Sequence, residues 1–155
     1  MSSRKEENTT VMEDFEPIDG AAIAAQILRH MPPAERSRLI SEIATKAPEV
    51  AIKLQDRIYN FEEVRTLAPQ GLQLLIQDIE HKDLVMAFSS SSPQLKAKIS
   101  ENMSERKRLM VEEDISSLAS VNSQEVKEAQ WRILKRLDEL RAAGAIRTEG
   151  KGIWV

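Results

Sequence analysis

The segment VNSQEVKEAQWRILKRLDELRAAG, residues 121–144, is written for one long helix. Val126, Ala129, Ile133, Leu137 and Leu140 recur at steps of three and four residues, which places them along one face of a 3.6-residue turn. Asn122 precedes Ser123, and Glu125 follows Asn122 by three residues, the pattern of a capping box. Gly144 supplies the residue that accepts a left-handed backbone just past a helix end. The spacing predicts a helix over Ser123 to Ala143. Trp131 falls about 140° around from Val126 at 100° per residue, off that stripe, and is expected to pack under the chain's tail.

Composition extends this helical reading to the whole chain. The 155 residues are 41% hydrophobic and only 4% aromatic, with the apolar positions mostly Leu, Ile, Ala, Val and Met. That mixture favours helix packing over sheet sandwiches, and the predicted class is all-α. The length suffices for one cored domain or two small helical units sharing an interface. A net charge of -3 leaves no basic excess to displace counterions, which argues against nucleic-acid binding. With no cysteine, neither a disulfide framework nor thiolate chemistry is available. The opening MSSRKEENTT lacks the apolar core of a secretory signal, and the run Ala21–Ala25 is too short to span a bilayer. The expected location is cytoplasmic.

Residues 1–17 are polar and acidic, with Met12 and Phe15 isolated, and read as a disordered leader. Asp19 is placed to cap a helix from Gly20 to His30 with Ile23, Ile27 and Leu28 as its apolar positions. Pro33 then opens a helix over Ala34 to Thr45, with Leu39, Ile40 and Ile43 inward and Glu35, Arg36, Arg38 and Glu42 outward. Pro48 starts a third, from Glu49 to Tyr59, turning Val50, Ile52, Leu54 and Ile58 to its neighbours. Short helices with proline corners suggest an armadillo-like unit over 18–60. From Pro69 a helix to Glu80 carries Leu72, Leu75, Ile76 and Ile79, and Ser92 before Pro93 opens a small helix with Leu95 and Ile99 inside. The end, AIRTEGKGIWV, reads as a small β-hairpin or a frayed tail.

The chemistry-bearing residues do not assemble into a reaction centre. His30 and His81 have no Cys or second His at ligand spacing, so helix-end or turn roles are expected and no metal. The run Ser89–Ser92 lacks an adjacent base, and the 5 glycines form no phosphate cradle. No catalytic residue, cofactor or small-molecule substrate is expected, which leaves a protein-interaction module. The stretch ENMSERKRLMVEEDI, residues 101–115, is the candidate surface. Ser104 caps it, Arg106 and Glu113 are seven residues apart and line up, and Asp114 stands about 100° around. By residue type alone it is a solvated helix laced with weak ion pairs.

Several segments, in order, carry a family likeness: FEEV at 61–64, HKDLVMAF at 81–88, ENMSERKR at 101–108, EEDI at 112–115 and VKEAQWRI at 126–133. Over about residues 20–155 the chain resembles the C-terminal part of the FliG family of flagellar motor switch proteins. The family pattern runs approximately FEDLV, DLALALKGA, NMSxRAAE, EDL, GPVR and VEEAQxxI. The asparagine-methionine-serine core and the EAQ triplet are its most specific parts.

The resemblance implies an armadillo-like segment over 18–60 and a compact C-terminal helical domain over 61–155. It implies a hinge at Ile58, Tyr59, Asn60 and Phe61, where the family has an MFxF-like motif, with Tyr59 and Asn60 departing from it. It also implies a charge ridge facing the stator, matched here by Arg106, Glu113 and Asp114. Two family charges are replaced, the lysine by Ser89 and the arginine by Asn122. The partners implied are a MotA-like stator, a FliM-like switch protein or FliG-like copies stacked through the armadillo unit into a homo-oligomer, and the implied location is the inner face of the cell membrane in the basal body. No counterpart of the family's N-terminal anchor domain or of its EHPQ motif is seen. Two functions follow: an accessory scaffold or adaptor related to the rotor and switch complex, or a rotor component of the C-ring that takes part in torque generation and switching.

Overall fold

The computed structural model describes residues 18–147. Within them the chain forms α1 (Gly20–Arg29), α2 (Pro33–Lys46), α3 (Pro48–Ile58), a 3₁₀ segment (Phe61–Thr66), α4 (Pro69–Asp78), α5 (His81–Ser89), α6 (Pro93–Glu101), α7 (Glu105–Ser116) and α8 (Ser123–Ala142). The class is all-α, as the composition predicts. The expected hairpin or frayed tail reaches beyond residue 147, and the expected leader precedes residue 18, so both lie outside the described residues.

Helix boundaries follow from local chemistry. Pro33, Pro48, Pro69 and Pro93 each occupy the first turn of a helix, where the missing N–H leaves no bond unmade. Asp19, Ser92 and Ser104 accept from the backbone N–H of Ala22, Leu95 and Lys107 at 3.1, 3.2 and 3.2 Å. Asn122 caps α8 as expected, but through the Gln124 N–H at 2.8 Å, in place of the capping-box bond to the third helical residue. At the other end Gly144 takes φ 75°, and the N–H of Ala145 returns to the Leu140 carbonyl at 2.9 Å. This turn lays Ile146 over α4 at Gly71, where an added Cβ would stand 3.2 Å from Ile146 Cγ2.

Two apolar cores result. The larger gathers Phe61, Val64 and Leu67 with the inner faces of α4 to α8, and α5 lies at its centre between α7 and α8. The smaller gathers Ala25, Leu28, Ile40, Leu54 and Ile58 from α1, α2 and α3. The expected stripe of α8 is buried throughout: Val126, Ala129, Ile133, Leu137 and Leu140. The same helix has a second covered side, because α2 also packs on it, where Asp138 is buried against Arg36.

The small unit departs from the sequence expectation at several positions. Leu28 is buried as expected, but Ile23 and Ile27 are exposed and Ala25 is buried instead, because α1 packs chiefly against α3 and only that narrow side is covered. Val50 and Ile52 are likewise exposed, with Ala51, Leu54 and Ile58 turned inward. Arg36, expected on the outer face of α2, is only 8% exposed, because that face meets α8. Trp131 is half-buried and lines the cleft between α2 and α8 with Ser37, Ile40 and Tyr59, while most of the tail under which it is expected lies outside the described residues.

Candidate protein-interaction site

The charged helix α7 is held by one fully buried residue, Val111, and by its packing on α5. Lys107 reinforces it by donating from Nζ to the Ile76 carbonyl near the C-terminus of α4 at 3.0 Å, where a cation also opposes the negative helix end. Apart from the half-buried Ile115, which packs against the large core, most of the helix faces outward. Arg106 and Glu113 are exposed, and among the described residues neither has an oppositely charged group within 4.0 Å. Between them Leu109 is 52% and Met110 48% exposed, so two large apolar side chains share the surface with two free charges. Arg108 and Glu112 pair at 3.4 Å one turn apart, the weak contact of an exposed helix.

The other positions of the expected ridge are occupied by internal bonds. Asp114 is exposed but contacts His81 Nε2 at 2.5 Å, which ties it to the first residue of α5. Ser89 turns its hydroxyl onto the Met86 carbonyl at 2.7 Å, and the Asn122 side chain is spent on capping α8. His81 therefore sits at a helix start and His30 at the C-cap of α1, the helix-end places expected of both.

The expected hinge, Ile58 to Phe61, is an extended link between buried anchors. Ile58 ends α3 in the small core and Phe61 enters the large one. Tyr59 packs against both cores, and Asn60 accepts from the Glu62 N–H at 3.0 Å to open the 3₁₀ segment. The Tyr59 hydroxyl donates to Asp138 Oδ2 at 3.3 Å, and Asp138 Oδ1 meets Arg36 Nη2 at 2.6 Å. The Arg36 guanidinium lies over the Tyr59 ring, 5.8 Å from its centre. Burial, seconded by the Asp138 charge, pushes the Tyr59 phenol up to about 12. Burial likewise holds the Asp138 carboxyl above the usual range, against the pull of Arg36.

Arg36 and Asp138 were not among the candidate residues of the sequence. One signal was present: Trp131 and Asp138 are seven residues apart, on a second side of α8 next to Leu134. A different kind of pair, the exposed Arg132 with the buried Asp83, fastens α5 to α8 through three bonds of 2.8 to 3.1 Å.

Residues 41–147 match the family described as the FliG C-terminal domain. The chain belongs to this family. Flagellar motor switch protein FliG of Thermotoga maritima is 27% identical over 136 residues, covering 88% of this chain and 41% of that protein. FliG of Vibrio cholerae is 28% identical over 133 residues, covering 86% and 38%. The chain thus spans about two-fifths of the length of these FliG relatives. Among solved structures, FliG residues 116–343 from H. pylori align with a TM-score of 0.59 at 21% identity, over 94% of this chain and 65% of that one. Full-length FliG from Aquifex aeolicus aligns at 0.60 and 20%, over 88% and 42%. The fold of the FliG C-terminal region is shared. Among the described residues no helix is long and apolar enough to cross a membrane.

Proposed function

We propose that this chain is a non-catalytic FliG-family interaction module, an accessory scaffold or adaptor related to the flagellar rotor and switch complex, working at the inner face of the membrane. The observation that carries this is the outer face of α7, where Arg106 and Glu113 stand free with Leu109 and Met110 exposed between them. Complementary charges steer and orient a partner, and desolvated apolar side chains at the centre supply affinity, so this face suits a protein surface of mixed character such as a stator or switch protein. The accessory reading is favoured over a torque-bearing one because the ridge is reduced. Ser89 and Asn122 carry no charge and serve the fold, and Asp114 is engaged by His81. We assign residues 18–60 to an armadillo-like unit and 61–155 to the C-terminal domain. Ile23 and Ile27, exposed one turn apart on α1, offer the first unit an apolar face for stacking on a FliG-like copy.

The test is affinity capture of the tagged chain from its native cells, with and without Glu113→Arg. Stator, switch-ring or FliG proteins are expected with the unaltered chain and reduced with the variant. Recovery of only unrelated proteins, or an identical set from both, overturns the proposal.

A further inference from the structure

Three clefts run into one another beside the joint at which α2 and Tyr59 meet α8. The first, about 550 Å³, opens at Ile18, where the described chain begins, and has Lys53, Asp56 and Arg57 on its wall. The second, about 520 Å³, shares Asp56 and Arg57 with the first and adds Arg29, Lys127 and Trp131. The third, about 290 Å³, shares Tyr59 and Trp131 with the second and ends between α2 and α8 at Ile40 and Lys135. Together they form one furrow. Its steps are short: Asp56 meets Lys127 at 3.4 Å, and Trp131 stands four residues further along α8, about 6 Å of helix rise.

The charges along this furrow are not all matched. Arg57, Lys127 and Arg132 are paired with Asp19, Asp56 and Asp83. Lys53, Arg29 and Lys135, one in each cleft, have no carboxylate within 4.0 Å among the described residues. Unmatched cations beside an indole and a phenol ring suit an anionic segment that also carries apolar side chains. The residues just before Ile18 have that character: MEDFEP, residues 12–17, interleaves Met12 and Phe15 with Glu13, Asp14 and Glu16. Extended chain covers about 3.4 Å per residue, so Phe15 reaches about 10 Å from Ile18 and Met12 about 20 Å, the scale of the steps to Trp131. The other end of the chain fits less well. It departs from α4, where Ile146 lies on Gly71, and from there it offers Arg147 and Lys151 against the single acidic side chain of Glu149. We infer that residues 12–17 lie back along this furrow, with Glu13, Asp14 and Glu16 against Lys53, Arg29 and Lys135 and with Met12 and Phe15 turned onto Tyr59 and Trp131. The chain thereby fills its own groove, and an acidic segment of any other protein must displace it to bind there. The inference stands apart from the flagellar reading, since it uses neither α7 nor a partner.

The absence of cysteine and the presence of only 2 tryptophans give a clean measurement. In the full chain carrying Trp154→Phe, the indole N–H resonance belongs to Trp131 alone, and Thr10→Cys accepts a nitroxide beside the segment. The resonance is expected to lose most of its intensity with the nitroxide oxidised and to regain it on reduction. Met12→Ser with Phe15→Ser removes the apolar side chains, and Lys53→Glu with Lys135→Glu reverses two exposed cations of the furrow. Each double variant is expected to keep most of the intensity with the nitroxide oxidised, at unaltered thermal unfolding, since none of the four positions belongs to either core. A resonance that the nitroxide leaves intact in the parent overturns the inference. So does a loss as large in either double variant as in the parent, which means nearness without docking. An intact resonance with the nitroxide at position 10 and a loss with it at Lys151→Cys assigns the furrow to the other end of the chain and overturns it too. An equal mixture of nitroxide-bearing and isotope-labelled copies supplies the last control: a loss there as large as within one chain makes a second copy the occupant, and an intact resonance is expected.

Discussion

The joint and the outer face of α7 use the same charged groups to opposite ends. At the joint, a guanidinium and a carboxylate are sealed between α2 and α8, each the other's principal partner. On α7, Arg106 and Glu113 stand in water without an ionic partner among the described residues. Solvent decides the consequence. A buried charge cannot lose its partner without a large penalty, whereas an exposed one is screened and indifferent to the fold. The first kind of charge specifies structure and the second is left over for a partner. The comparison breaks most visibly at Asp138. Asp138→Ala leaves Arg36 buried and unpaired, and a loss of about 3–5 kcal/mol in unfolding free energy is expected. Urea denaturation measures it, and a loss below about 1 kcal/mol, the range of surface pairs, would place the joint in the same class as α7.

Tyr59 sharpens the contrast through pH. Its phenol is held up at about 12, against 10.0 for the unperturbed group, chiefly by burial. A folded-state value above the unfolded one means that the contribution to stability is complete below pH 10 and is lost as pH rises towards 12. The expected slope is up to about 1.4 kcal/mol per pH unit across that window. Tyr59 is the only tyrosine of the chain, so phenolate absorbance reports it alone. A midpoint near 10 in the folded chain would show an open, hydrated joint. Tyr59→Phe is expected to remove the phenol's part of the alkaline loss while leaving stability at pH 7 less affected than Asp138→Ala does.

The two regions were also unequally legible. Helix starts are written locally: a serine or asparagine before a helix, or a proline in its first turn, acts on backbone within three residues, and Asp19, Ser92, Ser104 and Asn122 all cap as their positions predict. The buried stripe of α8 was legible for the same reason, since one period governs it. Arg36 and Asp138 were not, because their burial depends on which two helices meet, and single-helix periodicity holds no information on that. Ile23, Ile27, Val50 and Ile52 differ in the opposite sense, apolar at helical spacing yet exposed: period marks what is apolar, and packing decides which apolar side is covered. Of the ridge, Arg106, Glu113 and Asp114 came from family resemblance. The coupling of Asp114 to His81, 33 residues away, came only with the structure. The local rule carries its own check, since Ser104→Ala removes the acceptor for the Lys107 N–H and should cost about 1 kcal/mol. No change in thermal unfolding would mean that α7 is held by Val111 and Lys107 alone.

Arg106 is where the smallest structural effect should meet the largest functional one. Its side chain is exposed, and among the described residues it has no salt bridge, so Arg106→Glu is expected to shift unfolding free energy by no more than about 0.5 kcal/mol. If the α7 face is where a partner docks, the same reversal places an acid beside Leu109 and Glu113 and repels whatever surface Arg106 attracts, which costs orientation and association rate more than intrinsic fold. Capture of stator or switch proteins, or swimming of a strain carrying the change, should then fall at unaltered thermal stability. Unaltered motility together with unaltered capture removes α7 from the interaction surface and leaves Ile23 and Ile27 of α1 as the remaining candidate face. A fall in capture accompanied by a fall in stability above about 1 kcal/mol would erase the contrast itself, because Arg106 would then be serving the fold as Arg36 does.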